Sequence, residues 1–211
     1  MTRKDSKEDK LAWIYSSKNN QELAERYDQW ASEYDRELQE DYGWQIPQLM
    51  ADALNNYALK SGRILDAGAG TGLVGQFLGT LGYDNLVAMD LSNEMLNKAR
   101  EKGVYREFHQ MDMAETLNFP DDSFDAVVCA GVLTFSHAPA KSLYEMVRVT
   151  RPGGHILYSL RTDAYESMGF DDITSELESD GKWQLVDRKG HQSFTEKEQE
   201  VVHDIWVYQV L

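Results

Sequence analysis

The sequence predicts a doubly wound α/β domain. Its sheet is mostly parallel and seven-stranded with an antiparallel last strand, and a helical lid precedes it. Three observations carry this expectation. Short, nearly continuous apolar runs alternate with amphipathic segments from residue 63 onward, as in a parallel sheet covered on both faces. A glycine-rich stretch, "GAGTG" (68–72), stands between the first run and the first amphipathic segment. The last two runs, in "KWQLVDRKG" and "VVHDIWVYQVL", are separated by only His191–Glu200. A right-handed parallel crossover needs about a dozen residues or more, so an antiparallel pair is the easier closure.

Taken in order, the chain opens on "MTRKDSKEDK", which alternates charges and has no apolar h-region of a secretory signal. Residues 1–20 are expected to be a flexible charged tail, and 21–211 one domain with its lid at 21–60. In that lid Tyr27, Trp30, Ala31 and Tyr34 recur at helical spacing, as do Ile46, Leu49, Met50, Ala53, Leu54 and Tyr57. Gly43 and Pro47 separate the two helices. Strands are expected at 63–67, 86–90, 105–111, 124–130 and 154–160. Leu73, Val74, Phe77, Leu78 and Leu81 give one intervening helical face, and Met95, Leu96 and Ala99 give a second behind Ser92 as N-cap. Leu143, Met146 and Val147 give a third, and a short polar helix is expected over 171–180.

Composition narrows the function. The 211 residues carry 36 acidic against 21 basic side chains, a formal charge of −15. Such a surface repels a phosphate backbone, so a nucleic-acid partner is not expected. The single cysteine, Cys129, permits no intrachain disulfide and no Cys-x-x-Cys metal spacing, which fits the cytoplasm. No run approaches the roughly 18 apolar residues of a membrane span.

The glycines point to a cofactor. In doubly wound sheets ligands bind beyond the carboxyl ends of the strands, where a glycine turn lets backbone approach and a helix N-terminus offers N–H groups. The dinucleotide fingerprint G-x-G-x-x-G would put its third glycine where Leu73 stands. Here the third is Gly72, and Asp66 precedes the set. Asp90, at the end of the second strand, suits a ribose but fits either cofactor class.

The string D-x-G-x-G-x-G resembles the first motif of the class I S-adenosylmethionine-dependent methyltransferases, a Rossmann-like family. "MDMAETLNFPDDSFDAVVCAGVLTF" is similar to their adenine-binding segment and fourth strand, and "VRVTRPGGHILYS" to their loop into the fifth. The resemblance runs from about residue 25 to 211. "YDQWASEYD" with "TGLVGQFL" is further similar to the Williams–Beuren-region methyltransferase-like group. By resemblance, Gly68, Ala69 and Gly70 would present backbone to the methionine part of S-adenosylmethionine, with Asp66 orienting the loop or meeting the ammonium. Asp90 would accept both ribose hydroxyls, Leu91 would lie against adenine, and Asp112 and the Met113 N–H would take the adenine edge. The backbone of Cys129 and Ala130 would face the ammonium, with Tyr27 and Tyr34 closing over the cofactor.

Methyl transfer demands orientation and desolvation of the acceptor and, for a hydroxyl, a base. His137, in "TFSHAP", is the best-placed base, and a capping or surface role is its structural alternative. His109, in a strand, reads as structural; His191 and His203 belong to the closing sheet. Trp30, Trp44 and Arg161 are the candidate acceptor contacts, although the aromatic stripe equally packs a helix onto the sheet. The sequence lacks the Asn/Asp-Pro-Pro-aromatic motif of base and glutamine methyltransferases, and no metal is expected. A small-molecule acceptor is therefore the leading expectation. The alternatives are a protein methyltransferase, a non-catalytic module that binds the cofactor or its product and, distantly, a dehydrogenase.

Overall fold

Ile64–Ala67 form β1, every residue of it buried. In the computed structural model, which describes residues 5–41, 43–134, 136–192 and 202–211, β1 lies near the middle of a seven-stranded sheet. The other strands are β2 (Leu86–Asp90), β3 (Tyr105–Gln110), β4 (Phe124–Leu133), β5 (Thr150–Arg161), β6 (Trp183–Gln192) and β7 (Val202–Val210). Their order is β3-β2-β1-β4-β5-β7-β6, with β7 antiparallel to both neighbours. The expected antiparallel closure is present, although the segment joining β6 to β7, 193–201, lies outside the described residues. A dinucleotide-type sheet runs 3-2-1-4-5-6. Insertion of β7 before β6 departs from that order.

Alternation along the strands divides the core in two. Leu65, Ala67, Val127, Cys129, Ile156 and Tyr158 face a layer made by α7 (Ser142–Val149), α8 (Ala164–Ser167) and α9 (Phe170–Ser179). Ile64, Ala88, Ala126, Val128 and Leu157 face α4 (Ile46–Leu54), α5 (Leu73–Thr80) and α6 (Asn93–Glu101). Both faces are apolar because both are covered, and each large side chain so sealed is worth about 1.5–3 kcal/mol.

The N-terminal region departs from expectation in two ways. The tail foreseen over 1–20 contains a helix, α1 (Asp5–Tyr15), because Leu11, Trp13 and Ile14 have apolar partners in the lid. The helix foreseen through Tyr34 stops earlier: α2 runs Asn20–Trp30, and a turn separates it from α3 (Tyr34–Arg36), which continues as a π-helical turn over Glu37–Asp41. Asn19 caps α2 by accepting from the Glu22 N–H at 2.9 Å. Pro47 sits harmlessly in the first turn of α4.

Candidate active site

The strand order reverses between β1 and β4, and a cleft opens there beyond their carboxyl ends. It holds about 680 Å³ of space, part of it open to solvent. The loop after β1 forms its floor. Gly68 and Ala69 donate their N–H groups to the Met89 carbonyl at 2.8 and 2.9 Å, folding the loop over the end of β2. A Cβ on Gly68, at φ +78°, would lie 2.2 Å from Val132 Cγ2. A Cβ on Gly70 would meet nothing within 4 Å, so there the bare backbone faces open space. The glycines thus serve both packing and access.

Asp90 is held by its own loop. One oxygen accepts the Gly70 N–H at 2.8 Å and the other the Ser92 N–H at 2.9 Å, which leaves further lone pairs for a ligand. Burial raises its pKa, partly offset by those backbone hydrogen bonds. Asp66 is buried beneath the loop. Tyr105 donates to one of its oxygens at 2.6 Å and accepts the Gly75 N–H at 3.1 Å, while the other oxygen, Oδ1, has no partner. Burial lifts this carboxyl to about 7.

The far wall comes from the lid. Tyr27 and Tyr34 line the cleft, their rings edge to face at 6.2 Å, and burial pushes both phenols up. Asn20, at the start of α2, donates to Asp112 at 2.5 Å, and Ala114 N–H caps the other Asp112 oxygen at 2.8 Å. His137 approaches from the loop after β4, with its Nε2 2.7 Å from Tyr27 Oη. Its ring also meets that of Tyr15 edge to face at 5.4 Å. Leu91, Met113 and Ala130 complete the expected lining.

Other expected contacts lie elsewhere. Trp30 faces the lid's own small core with Ile14, Leu23 and Leu38, and its indole N–H donates to Glu37 at 2.6 Å. Arg161 does not line the cleft; it grips Asp163 at 2.7 and 2.9 Å. Trp44 and Ala69 line an annexe of about 280 Å³ that shares Tyr34, Gly68, Gly70 and Ala130 with the main cleft. The Cys129 side chain is buried in the core, where burial raises its thiol pKa, so only its backbone could serve. His109 stacks edge to face on Phe119 at 4.8 Å, and His203 is buried in β7 with its pKa pushed down to about 4. Asn20, Leu23 and Met111 line the cleft without having been singled out in the sequence, and Met95, read there only as part of a helical face, lines it too.

Comparison with known proteins bears on what such a cleft holds. Residues 65–158 match a family profile described as a methyltransferase domain. Human methyltransferase-like protein 27 is 32% identical over 166 residues, covering 75% of this chain and 66% of that protein. The chain belongs to the class I S-adenosylmethionine-dependent methyltransferases. Demethylmenaquinone methyltransferase of Renibacterium salmoninarum is 34% identical over 145 residues, covering 66% of this chain and 59% of the relative. Matches to such curated relatives thus span about half to two thirds of their length. A TehB-like S-adenosylmethionine-dependent methyltransferase from Corynebacterium glutamicum shares the fold with a TM-score of 0.62 at 20% identity, covering 87% of this chain and 98% of that one.

The cleft fits the family's cofactor. Asp90 and Asp112 line it, and among the described residues no lysine or arginine does. Two carboxylates and aromatic faces suit a ligand carrying a sulfonium and an ammonium, and would oppose a pyrophosphate. The unpartnered Oδ1 of Asp66 and the open backbone at Gly70 are further features that a polar ligand could satisfy.

Proposed function

We propose that this protein transfers a methyl group from S-adenosylmethionine to a small-molecule acceptor seated under the helical lid. One observation carries the reading: the glycine loop, Asp90 and Asp112 face the lid tyrosines across a single cleft. Gly68, Ala69 and Gly70, with the backbone of Cys129 and Ala130, would hold the methionine end, and Asp66 would brace the loop. Asp90 would accept the ribose hydroxyls. Leu91, Asp112 and Met113 would surround adenine, while Tyr27 and Tyr34 close the site. Bound, the cofactor supplies an activated methyl on sulfur; the chain's part is to align, desolvate and deprotonate the acceptor, with His137 as base. Alignment alone can supply about 7–11 kcal/mol of the barrier.

A small acceptor accords with the enclosed aromatic cleft and with a relative named for a quinone substrate. The lone buried Cys129 accords with the cytoplasm. No helix among the described residues is long and apolar enough to cross a membrane.

Calorimetric titration with S-adenosylmethionine, S-adenosylhomocysteine and NADH tests the reading. Micromolar binding of both sulfur compounds and none of NADH is expected. Asp90→Ala should weaken that binding by roughly 100-fold while the circular dichroism spectrum stays unchanged, since the charge-assisted hydrogen bonds to both ribose hydroxyls are lost. Parent-like affinity in that variant would refute the placement.

A further inference from the structure

His137 does not stand alone. Its Nε2 lies 2.7 Å from the Tyr27 hydroxyl, both residues line the cleft, and the imidazole meets the rings of Tyr15 and Tyr27 edge to face at 5.4 and 5.6 Å. Tyr27 comes from α2 and His137 from the loop after β4, so the pair forms only when the lid is docked on the sheet. Asn20–Asp112 and Asp28–Ser92 fix that docking, each at 2.5 Å. The lining offers no lysine or arginine, among the described residues, to receive an anionic acceptor.

We propose that Tyr27 and His137 act as one proton-accepting pair, and that the acceptor is an uncharged aromatic or enolic hydroxyl compound whose proton this pair receives. The inference rests on the methyltransferase reading above and extends it. In the pair as proposed, the buried, neutral Tyr27 donates its O–H to His137 Nε2, which places the imidazole's own proton on Nδ1. As the acceptor oxygen forms its bond to the methyl carbon and the carbon–sulfur bond breaks, the sulfur keeps the electron pair. The acceptor's proton passes to Tyr27 Oη while the proton of Tyr27 passes to His137 Nε2. The positive charge that began on sulfur ends on the imidazolium, so no net charge is created in the closed cleft.

A base helps only an acceptor that must lose a proton, which separates hydroxyls from thioethers. An aromatic hydroxyl also suits walls built from Tyr27, Tyr34, Leu23 and Met95. Among the described residues, the titratable groups around the pair include Tyr15 from α1 and Tyr34 from α3, with Asp90 across the cleft and Arg161 and Asp163 acting on Tyr15.

The first readout needs no turnover. Nitrogen-15 spectra of histidine-labelled full-length protein should show His137 as the Nδ1–H tautomer. In Tyr27→Phe the tautomers should redistribute and the His137 pKa should rise by about half a unit or more, because a hydrogen bond to the neutral ring is lost. An unchanged tautomer and titration would overturn the pair. The second readout is methylation of a panel of monocyclic phenols, amines and thioethers. Tyr27→Phe and His137→Gln should each lower phenol turnover by roughly 10²–10⁴, with the double variant no worse than the poorer single, as for groups acting as a unit. Losses that multiply in the double variant overturn the pair, and a loaded protein that methylates no phenol overturns the acceptor class. Failure of the parent to bind S-adenosylhomocysteine would instead remove the underlying reading, a result calorimetry distinguishes from both.

Discussion

Leu65 and Val127 are sealed on the sheet between strands and helices, whereas the lid of α1, α2 and α3 meets that sheet through side-chain hydrogen bonds together with a smaller apolar contact. Its own apolar cluster has four buried members, Ile14, Leu23, Trp30 and Leu38. Leu91 and Trp44 pack on that cluster from outside these helices, and the polar links outward are Asn20 to Asp112, Tyr27 to His137, Asp28 to Ser92, and Asp35 to Thr71 and Lys102. Apolar burial is non-directional and strong in sum, while a single hydrogen bond contributes only about 0.5–1.5 kcal/mol net. The sheet is thus built to persist and the lid to release, which a cleft that admits cofactor and acceptor requires.

The contrast is open to attack. Its strongest form predicts that Leu65→Ala costs about 2–5 kcal/mol of global stability in urea denaturation, since Leu65 is fully buried. A cost below 1 kcal/mol would mean that the sheet is no firmer than the lid. Next in size is Asp66, a carboxyl beneath the sheet's carboxyl edge whose pKa is raised to about 7. A group whose folded pKa exceeds its unfolded value stabilises fully below the unfolded value and loses that contribution as pH rises through the folded one. From pH 5 to 8 the parent should therefore lose on the order of 2 kcal/mol relative to Asp66→Asn, whose amide carbonyl keeps the Tyr105 hydrogen bond. Parallel melting curves across that range would contradict it. The smallest effect belongs to the lid. Asp28 accepts from the Ser92 hydroxyl and from the Glu94 N–H, so it helps cap α6 as well as holding α2. Asp28→Ala should cost about 1 kcal/mol and speed amide exchange in α2, leaving β1 and β4 protected.

Legibility follows the same division. The sheet could be read because strands covered on both faces must be continuously apolar, and the glycine loop because its spacing departs from the dinucleotide pattern at Leu73. Asp90 and Asp112, singled out from a strand end and from family motifs, both line the cleft. The lid was harder. Tyr27, Trp30 and Tyr34 share one helical stripe in sequence, yet the helix ends at Trp30 and Tyr34 follows a turn; Trp30 is buried within the lid core, while Tyr27 and Tyr34 pack on that core and also line the cleft. Arg161 stands at a strand end, where a local partner, Asp163, claims it. Asn20 carries no signal at all, because only the docked position of α2 gives it Asp112 as a partner.

The placement of β7 has a consequence for synthesis. β6 is made before β7 but reaches the sheet only through it. The side of β5 that β7 will cover, from His155 to Arg161, therefore waits unpaired while about 40 further residues are added. At about 5–20 residues per second the ribosome leaves that edge bare for roughly 2–8 s. An unpaired edge running through Ile156, Leu157 and Tyr158 is a template for association with other chains. The newly made protein is most in need of a chaperone during those seconds.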